Sequence, residues 1–307
     1  MPAPRIAVLP SEPEIEQAVI EGGGTLAPET EAEAIVWVDP RDPEGLREAL
    51  SRSPARWIQL PFAGIERFVA AGVIDPDRTW TCAKGIYGPA TAEHGLGLIL
   101  LAARSLHRHA RTRTWIRNSD LSETRRLAGA TVLVIGTGGI GTALAEMIAP
   151  LGVRILAANR SGKPMPGAER TVAMTGVKEL LPEADFVFIA APLTDETRGL
   201  IDADALSLMK PGAWIVNVAR GALVDTDALV DALREDRIGG AALDVTDPEP
   251  LPDGHPLWQM DNVIVTSHAA NTFAMAMPDL GALVKRNVQR FAAGEPLEGL
   301  VDVKLGY

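Results

Sequence analysis

At 307 residues the chain is long for one hydrophobic core and comfortable for two domains. Hydrophobic residues make up 47% and charged residues 22%, a globular balance that excludes wholesale disorder. The formal charge of -11 argues against nucleic-acid binding, which needs a basic footprint, yet leaves room for a local arginine cluster facing an anionic substrate. A single cysteine, Cys82, permits no intrachain disulfide and points to a reducing, cytoplasmic setting. No partner motif accompanies it, so it reads as a plain core or loop thiol. No signal peptide is visible, because Met1-Pro2-Ala3-Pro4-Arg5 runs directly into a short apolar strand. The longest apolar helix-like run, 95–103, is far too short to span a bilayer, so no membrane partner is expected.

Apolar runs at 6–9, 34–38 and 57–60 read as strands, and 44–50 and 65–70 carry apolar residues at helical spacing. Gly22-Gly23-Gly24 reads as a loop before another strand. This front portion is expected to form a small α/β domain. Residues 91–106 read as one long apolar helix, followed by Arg104, Arg108, Arg111, Arg113 and Arg117. That basic stretch is either an anion or RNA contact, or a solvated helix face or subunit contact; the acidic chain favours the second pair. His107 and His109 lie two apart, point to different helix faces and make a poor metal pair, and no metal site is expected.

Six further strands are predicted at 131–135, 154–158, 186–190, 213–218, 240–245 and 263–267. Several are apolar on both faces, as central parallel strands covered by helices are. Their count and their alternation with helices match a doubly wound α/β sheet that binds a dinucleotide. Residues 278–291 read as a helix that returns to the first domain.

The strand at 131–135 runs straight into Gly136-Thr137-Gly138-Gly139-Ile140-Gly141, and a helix is predicted over 142–151. A bare G-x-G-x-x-G is weak evidence, but strand before and helix after is the context the motif requires. Gly136 allows the tight turn, Gly138 lets backbone approach a pyrophosphate, and Gly141 allows close helix–strand packing. The pyrophosphate then lies on a helix N-terminus, where free N–H groups and the dipole favour anions. Eighteen residues past Gly141, where an acidic residue would hold the ribose 2′-hydroxyl, stand Asn159-Arg160-Ser161. Losing the carboxylate removes repulsion against a 2′-phosphate, and Arg160 supplies its counter-charge. A charge-assisted hydrogen bond is worth roughly 1.5–3 kcal/mol, which predicts NADP over NAD by about one to two orders of magnitude without excluding NAD.

Three polar motifs end predicted strands: Asn217-Val218-Ala219-Arg220-Gly221, Asp244-Val245-Thr246-Asp247-Pro248-Glu249-Pro250 and Ser267-His268-Ala269-Ala270-Asn271. Ligands of open α/β sheets bind beyond the carboxyl ends of the strands, so these side chains are placed to converge. Reducing a 2-oxo acid requires its carboxylate held, its carbonyl polarised and a proton delivered to oxygen. A guanidinium does the first two with a bidentate fork. A histidine oriented by a carboxylate does the third.

From about residue 91 to 294 the chain resembles the D-isomer-specific 2-hydroxyacid dehydrogenases, the family of glyoxylate/hydroxypyruvate reductases, D-lactate dehydrogenases and phosphoglycerate dehydrogenases. The resemblance is carried by Ala92-Glu93-His94, Leu127-Ala128-Gly129-Ala130-Thr131-Val132, the glycine turn, Pro192-Leu193-Thr194-Asp195-Glu196-Thr197 and Met209-Lys210-Pro211-Gly212-Ala213. The three polar motifs and Pro256-Leu257 complete it. It implies a doubly wound Rossmann coenzyme domain over 99–271 and a smaller flavodoxin-like α/β substrate domain from 1–98 and 272–307. A hinge near 98 and 272 would close the cleft between them. The activity implied is hydride exchange between NAD(P)H and a small 2-oxo or D-2-hydroxy acid. Arg220 would bind substrate, Glu249 tune the histidine, and His268 act as acid/base.

By the same resemblance Asp244 holds the nicotinamide carboxamide. Gly136, Gly138, Gly139, Ile140, Gly141, Asn159, Arg160, Ser161, Pro192, Thr197, Ala219 and Ala270 surround the dinucleotide. The loop Phe62-Ala63-Gly64-Ile65 matches one that binds substrate carboxylate through backbone N–H groups, here those of Ala63 and Gly64. His94 and His255 fall outside the catalytic position and read as structural. Gly139 departs from the larger residue many relatives carry, and Cys82-Ala83-Lys84-Gly85-Ile86-Tyr87 departs from the usual pattern, making Lys84 and Tyr87 candidates to face substrate. Family members are usually homodimers, and 104–117 matches the segment that wraps the partner. Two other readings share the fold: a dinucleotide-binding co-regulator or sensor with little turnover, and a formate dehydrogenase. Formate dehydrogenases carry glutamine where Glu249 stands, which counts against that reading.

Overall fold

The computed structural model describes residues 2–117 and 123–303. The chain divides into two compact units, residues 1–87 with 273–307, and residues 88–272. Among the described residues no helix is long and apolar enough to cross a membrane.

Among the described residues the first unit is built on five strands, β1 (Arg5–Leu9), β2 (Thr25–Leu26), β3 (Ala34–Trp37), β4 (Trp57–Gln59) and β5 (Thr79–Thr81). All neighbours pair parallel, in the order β2-β1-β3-β4-β5. This is the flavodoxin-like order. The helices α1 (Pro13–Glu21), α2 (Pro43–Arg52) and α3 (Glu66–Ala70) follow β1, β3 and β4. Proline opens α1 and α2, where its missing N–H has no intrahelical partner to lose, and the Asp42 carboxylate caps α2 through the Gly45 N–H at 2.8 Å. Sequence reading missed β5, a three-residue Thr-Trp-Thr segment.

The second unit opens with α4 (Gly88–Ala103) and α5 (Leu106–Arg111). The single helix expected over 91–106 therefore starts earlier and breaks, because Ser105 takes a left-handed φ of 51°. His107 is buried with its ring 5.4 Å from that of Trp214, and burial holds its imidazole pKa down, whereas His109 is exposed. The sheet has β6 (Thr131–Ile135), β7 (Arg154–Asn159), β8 (Arg170–Ala173), β9 (Phe186–Ile189), β10 (Trp214–Asn217), β11 (Gly240–Leu243) and β12 (Val263–Val265). Its order β12-β11-β10-β9-β6-β7-β8 is the doubly wound arrangement extended by one strand. Among the described residues seven strands stand where six were expected. The addition, β8, is a half-exposed edge strand whose Arg-Thr-Val-Ala carries no apolar run.

The sheet's two faces are both covered. Val132, Val134, Phe186 and Phe188 pack under α4 and α6 (Gly139–Ile148), while Leu133, Ile135, Val187 and Ile189 pack under α7 (Ala203–Leu208) and α8 (Thr226–Arg234). Alternate residues thus serve opposite faces. An added Cβ on Gly95 would meet the Phe188 ring at 2.4 Å, so glycine there is what lets α4 lie on β9. The last helix, α9 (Phe273–Ala293), returns to the first unit, where Ala276, Leu280, Val284 and Val288 join Ile15 and Val19 of α1 in one core.

Candidate active site

The glycine turn lies at the topological switch point, since β6 sits between β7 and β9 and the chain order reverses there. Gly136 has φ 97°, and a Cβ on it would stand 2.6 Å from the backbone of Ala190 and Ala191. A Cβ on Gly141 would stand 2.0 Å from the Gly136 carbonyl oxygen. On Gly138 it would meet nothing within 4 Å. The turn thus presses its first and last glycines against protein and leaves the middle one facing open space. α6 begins at Gly139, so its first-turn N–H groups, those of Gly139, Ile140 and Gly141, have no intrahelical acceptor. This cradle fits a dinucleotide pyrophosphate.

Asn159 closes β7 and ties the next loop to the turn. Its Nδ2 donates to Thr137 Oγ1 at 3.1 Å and to the Lys163 carbonyl at 2.8 Å, and its Oδ1 accepts from the Ser161 N–H at 3.1 Å. Arg160 and Ser161 are exposed on that loop. Thr197 is buried and its hydroxyl donates to the Pro192 carbonyl at 2.7 Å, fixing the loop that leaves β9.

Arg220, the Asp244–Glu249 stretch and His268 follow β10, β11 and β12. These strands are neighbours in register, with Asn217 opposite Leu243 and Leu243 opposite Val265. The buried Asn217 shapes the first loop: its Oδ1 accepts from the Ala219 N–H at 3.0 Å and its Nδ2 donates to the Arg220 carbonyl at 2.9 Å. Arg220 is half-buried, and its Nη1 donates to the Ala219 carbonyl at 2.7 Å. A Cβ on Gly221 would stand 2.0 Å from the Thr246 carbonyl, so this glycine permits the first loop to touch the second.

His268 Nδ1 lies 2.8 Å from Glu249 Oε1, with both side chains about half exposed. A carboxylate at that distance accepts from Nδ1–H and leaves Nε2 as the atom offered outward. His268 also has a left-handed φ of 52°. Asp244 is what holds it there. The Asp244 carbonyl accepts from the His268 N–H at 2.8 Å, and its carboxylate accepts from the N–H groups of Ala269 and Ala270 at 2.8 and 3.1 Å. Asp244 is buried, and burial pushes its carboxyl up. Hydrogen bonds from His94, Thr266 and the two backbone N–H groups pull it further down, below the usual aspartate range.

His94, set aside on sequence as structural, is brought by α4 to Thr266 and Asp244, and the only hint was its place in Ala92-Glu93-His94. His255 caps a short helical turn, accepting the Leu257 N–H on Nδ1. Ala63 and Gly64 lie in the first unit, between β4 and α3. Tyr87, a candidate to face substrate, is instead buried with its hydroxyl donating to the Pro61 carbonyl at 2.7 Å, beside the Phe62 ring. It supports the Ala63–Gly64 loop from within. Cys82 is a buried free thiol, and burial raises its pKa. Arg111 donates to the carbonyls of Met260 and Val263, so part of the basic stretch serves its own unit.

Residues 96–270 match the sequence profile of the D-isomer specific 2-hydroxyacid dehydrogenase NAD binding domain. An uncharacterized protein of Corynebacterium melassecola, encoded in the proB 3′ region, is 42% identical over 298 residues, 94% of this chain and 95% of that protein. A glyoxylate reductase of Pyrococcus furiosus is 37% identical over 221 residues, 69% of this chain and 66% of the reductase. The D-isomer specific 2-hydroxyacid dehydrogenase of Xanthobacter autotrophicus Py2, solved with NADPH and MES, superposes with a TM-score of 0.82 at 28% identity, covering 99% of this chain and all of that one. The glycine cradle, the order of the strands and these similarities agree: the chain belongs to the D-isomer specific 2-hydroxyacid dehydrogenase family.

Proposed function

We propose that the chain is an NADPH-preferring reductase that converts a small 2-oxo acid to its D-2-hydroxy acid. The observation that carries this reading is the 2.8 Å contact between His268 Nδ1 and Glu249 Oε1, one strand away from Arg220. In it, the Arg220 fork holds the substrate carboxylate and polarises the carbonyl. His268 Nε2–H delivers a proton to the carbonyl oxygen, while Glu249 stabilises the imidazolium from the other side of the ring. The bound reduced nicotinamide supplies the reducing equivalents. Asn159 and Arg160 favour the 2′-phosphate form, in place of the acidic residue that would repel it. A cytoplasmic homodimer completes the reading, supported by the lone buried thiol and by Trp115, 91% exposed in the basic segment after α5.

The test is oxidation of NADPH and NADH with glyoxylate, hydroxypyruvate, pyruvate and longer 2-oxo acids. Turnover with at least one is expected, faster at low NADPH than at low NADH, and His268→Ala should lower kcat by about a thousandfold with NADPH affinity kept. Micromolar NADPH binding with no turnover on any acid would replace the reductase by a sensor.

A further inference from the structure

The hydrogen-bond chain that ends on the His268 loop begins on another element, at His94 of α4. His94 Nε2 lies 3.0 Å from Thr266 Oγ1 and 3.4 Å from Asp244 Oδ1. Donor and acceptor follow by elimination. An ionised Asp244 can only accept, so the Thr266 hydroxyl donates to Asp244 Oδ1, at 2.5 Å. A hydroxyl has a single proton, so Thr266 Oγ1 accepts from His94, which is therefore protonated on Nε2. The shorter path runs from His94 to Thr266 to Asp244, with the same Nε2–H also in longer reach of Asp244 Oδ1, and the members of such a chain polarise one another. At its far end Asp244 takes the N–H groups of His268, Ala269 and Ala270, the three residues around the left-handed φ.

We propose that His94 is a positioning residue: acting through Thr266 and Asp244, it fixes the backbone of the 266–270 loop and with it the direction of the His268 imidazole. The proposal rests on the reading of His268 as proton donor. A side chain that merely filled the space under α4 would need no N–H aimed at Thr266. Without that donor, Thr266 Oγ1 is left short of a partner and Asp244 loses its restraint on one side, in a loop already held away from its ordinary conformation.

The test compares wild type, His94→Ala, Thr266→Val, the double variant and His94→Gln, all as full-length protein, with NADPH and the best 2-oxo acid. His94→Ala and Thr266→Val should each lower kcat about tenfold while the substrate KM moves less than about threefold. The double variant should be no worse than the poorer single one, because the two act in series. His94→Gln, which restores an N–H at similar reach, should recover most of kcat. Multiplied losses in the double variant, or wild-type kcat in His94→Ala, overturn the proposal. Should His94→Ala fail to fold, Thr266→Ser against Thr266→Val decides: serine should keep kcat, and equal loss in both overturns it. Amide exchange over 266–270, measured without substrate or cofactor, should speed up in His94→Ala and return in His94→Gln; unchanged exchange in His94→Ala overturns it as well. Wild type that reduces no 2-oxo acid, or His268→Ala that keeps its kcat, removes the proton-donor reading instead, and the exchange comparison still judges His94 alone.

Discussion

Gly136 and Gly138 of one turn answer to different constraints, and substitutions separate them. Alanine at 136 meets both a φ of 97° and the Ala190–Ala191 backbone at 2.6 Å, so Gly136→Ala should cost about 3 kcal/mol and lower the melting temperature. Gly138 has φ -77° and ψ -163°, which alanine adopts freely, and nothing crowds its missing Cβ. Gly138→Ala should therefore melt within about 2 °C of wild type while weakening NADPH binding about tenfold, since the methyl group enters the space the pyrophosphate needs. Undiminished NADPH affinity in that variant would move the dinucleotide elsewhere. Asp244 ties the loop to stability against acid. Its carboxyl titrates below the ordinary range in the folded chain. Folding therefore favours the ionised form, a contribution complete above the unfolded value of about 3.9 and lost as pH falls through the lower folded value. Wild type should exceed Asp244→Asn in urea stability by a constant margin at neutral pH, and the margin should shrink below about pH 4. A margin that holds down to pH 3 would show that hydrogen-bond geometry, and not charge, sets the stabilisation.

Element by element, the parts that read clearly in the sequence are those whose signal is local. The run 131–135 is apolar on both faces and ends on glycines, and it is β6 with its turn. β8 and β5 lack that signal: one is a half-exposed edge, the other only three residues long. The true start of α4 was hidden by Gly88-Pro89, a pair that usually breaks helices, and its end by a serine in the left-handed region. Contacts far apart in sequence were equally hidden. His94 meets Thr266 across 172 positions, which no spacing rule anticipates. Asn287 of α9 is a similar case. It is fully buried, donates to Gln59 Oε1 at 3.0 Å and to the Glu298 carbonyl at 3.1 Å, and accepts the Glu298 N–H at 2.8 Å. This amide joins α9 to β4 and to the segment after the helix. Asn287→Leu should cost about 3 kcal/mol, because it strands buried polar partners without enlarging the core. A urea midpoint equal to that of wild type would show that the apolar face of α9 suffices to hold it.

At the scale of the whole molecule, each unit has apolar clusters of its own among the described residues. The apolar clusters of the second unit draw every member from residues 92–265, and those of the first from 6–87 and 276–301. The second unit is also continuous in sequence, whereas the first needs both ends of the chain. Residues 88–272 alone are therefore expected to unfold in one cooperative transition. The cut point matters. A fragment opening at 99, the boundary suggested by sequence, loses the larger part of α4, in which Gly88 meets Gly139 and Gly95 meets Phe188. It should melt without a cooperative transition. NADPH at a hundred times its Kd should stabilise the 88–272 fragment by about 2.7 kcal/mol, because ligand that binds only the folded state adds its binding energy to folding. In the same fragment Arg160→Ala should shrink the NADPH shift and leave the NADH shift in place. Equal loss for both would mean that the guanidinium contacts something common to the two cofactors, and the preference for the phosphorylated one would have to come from another residue.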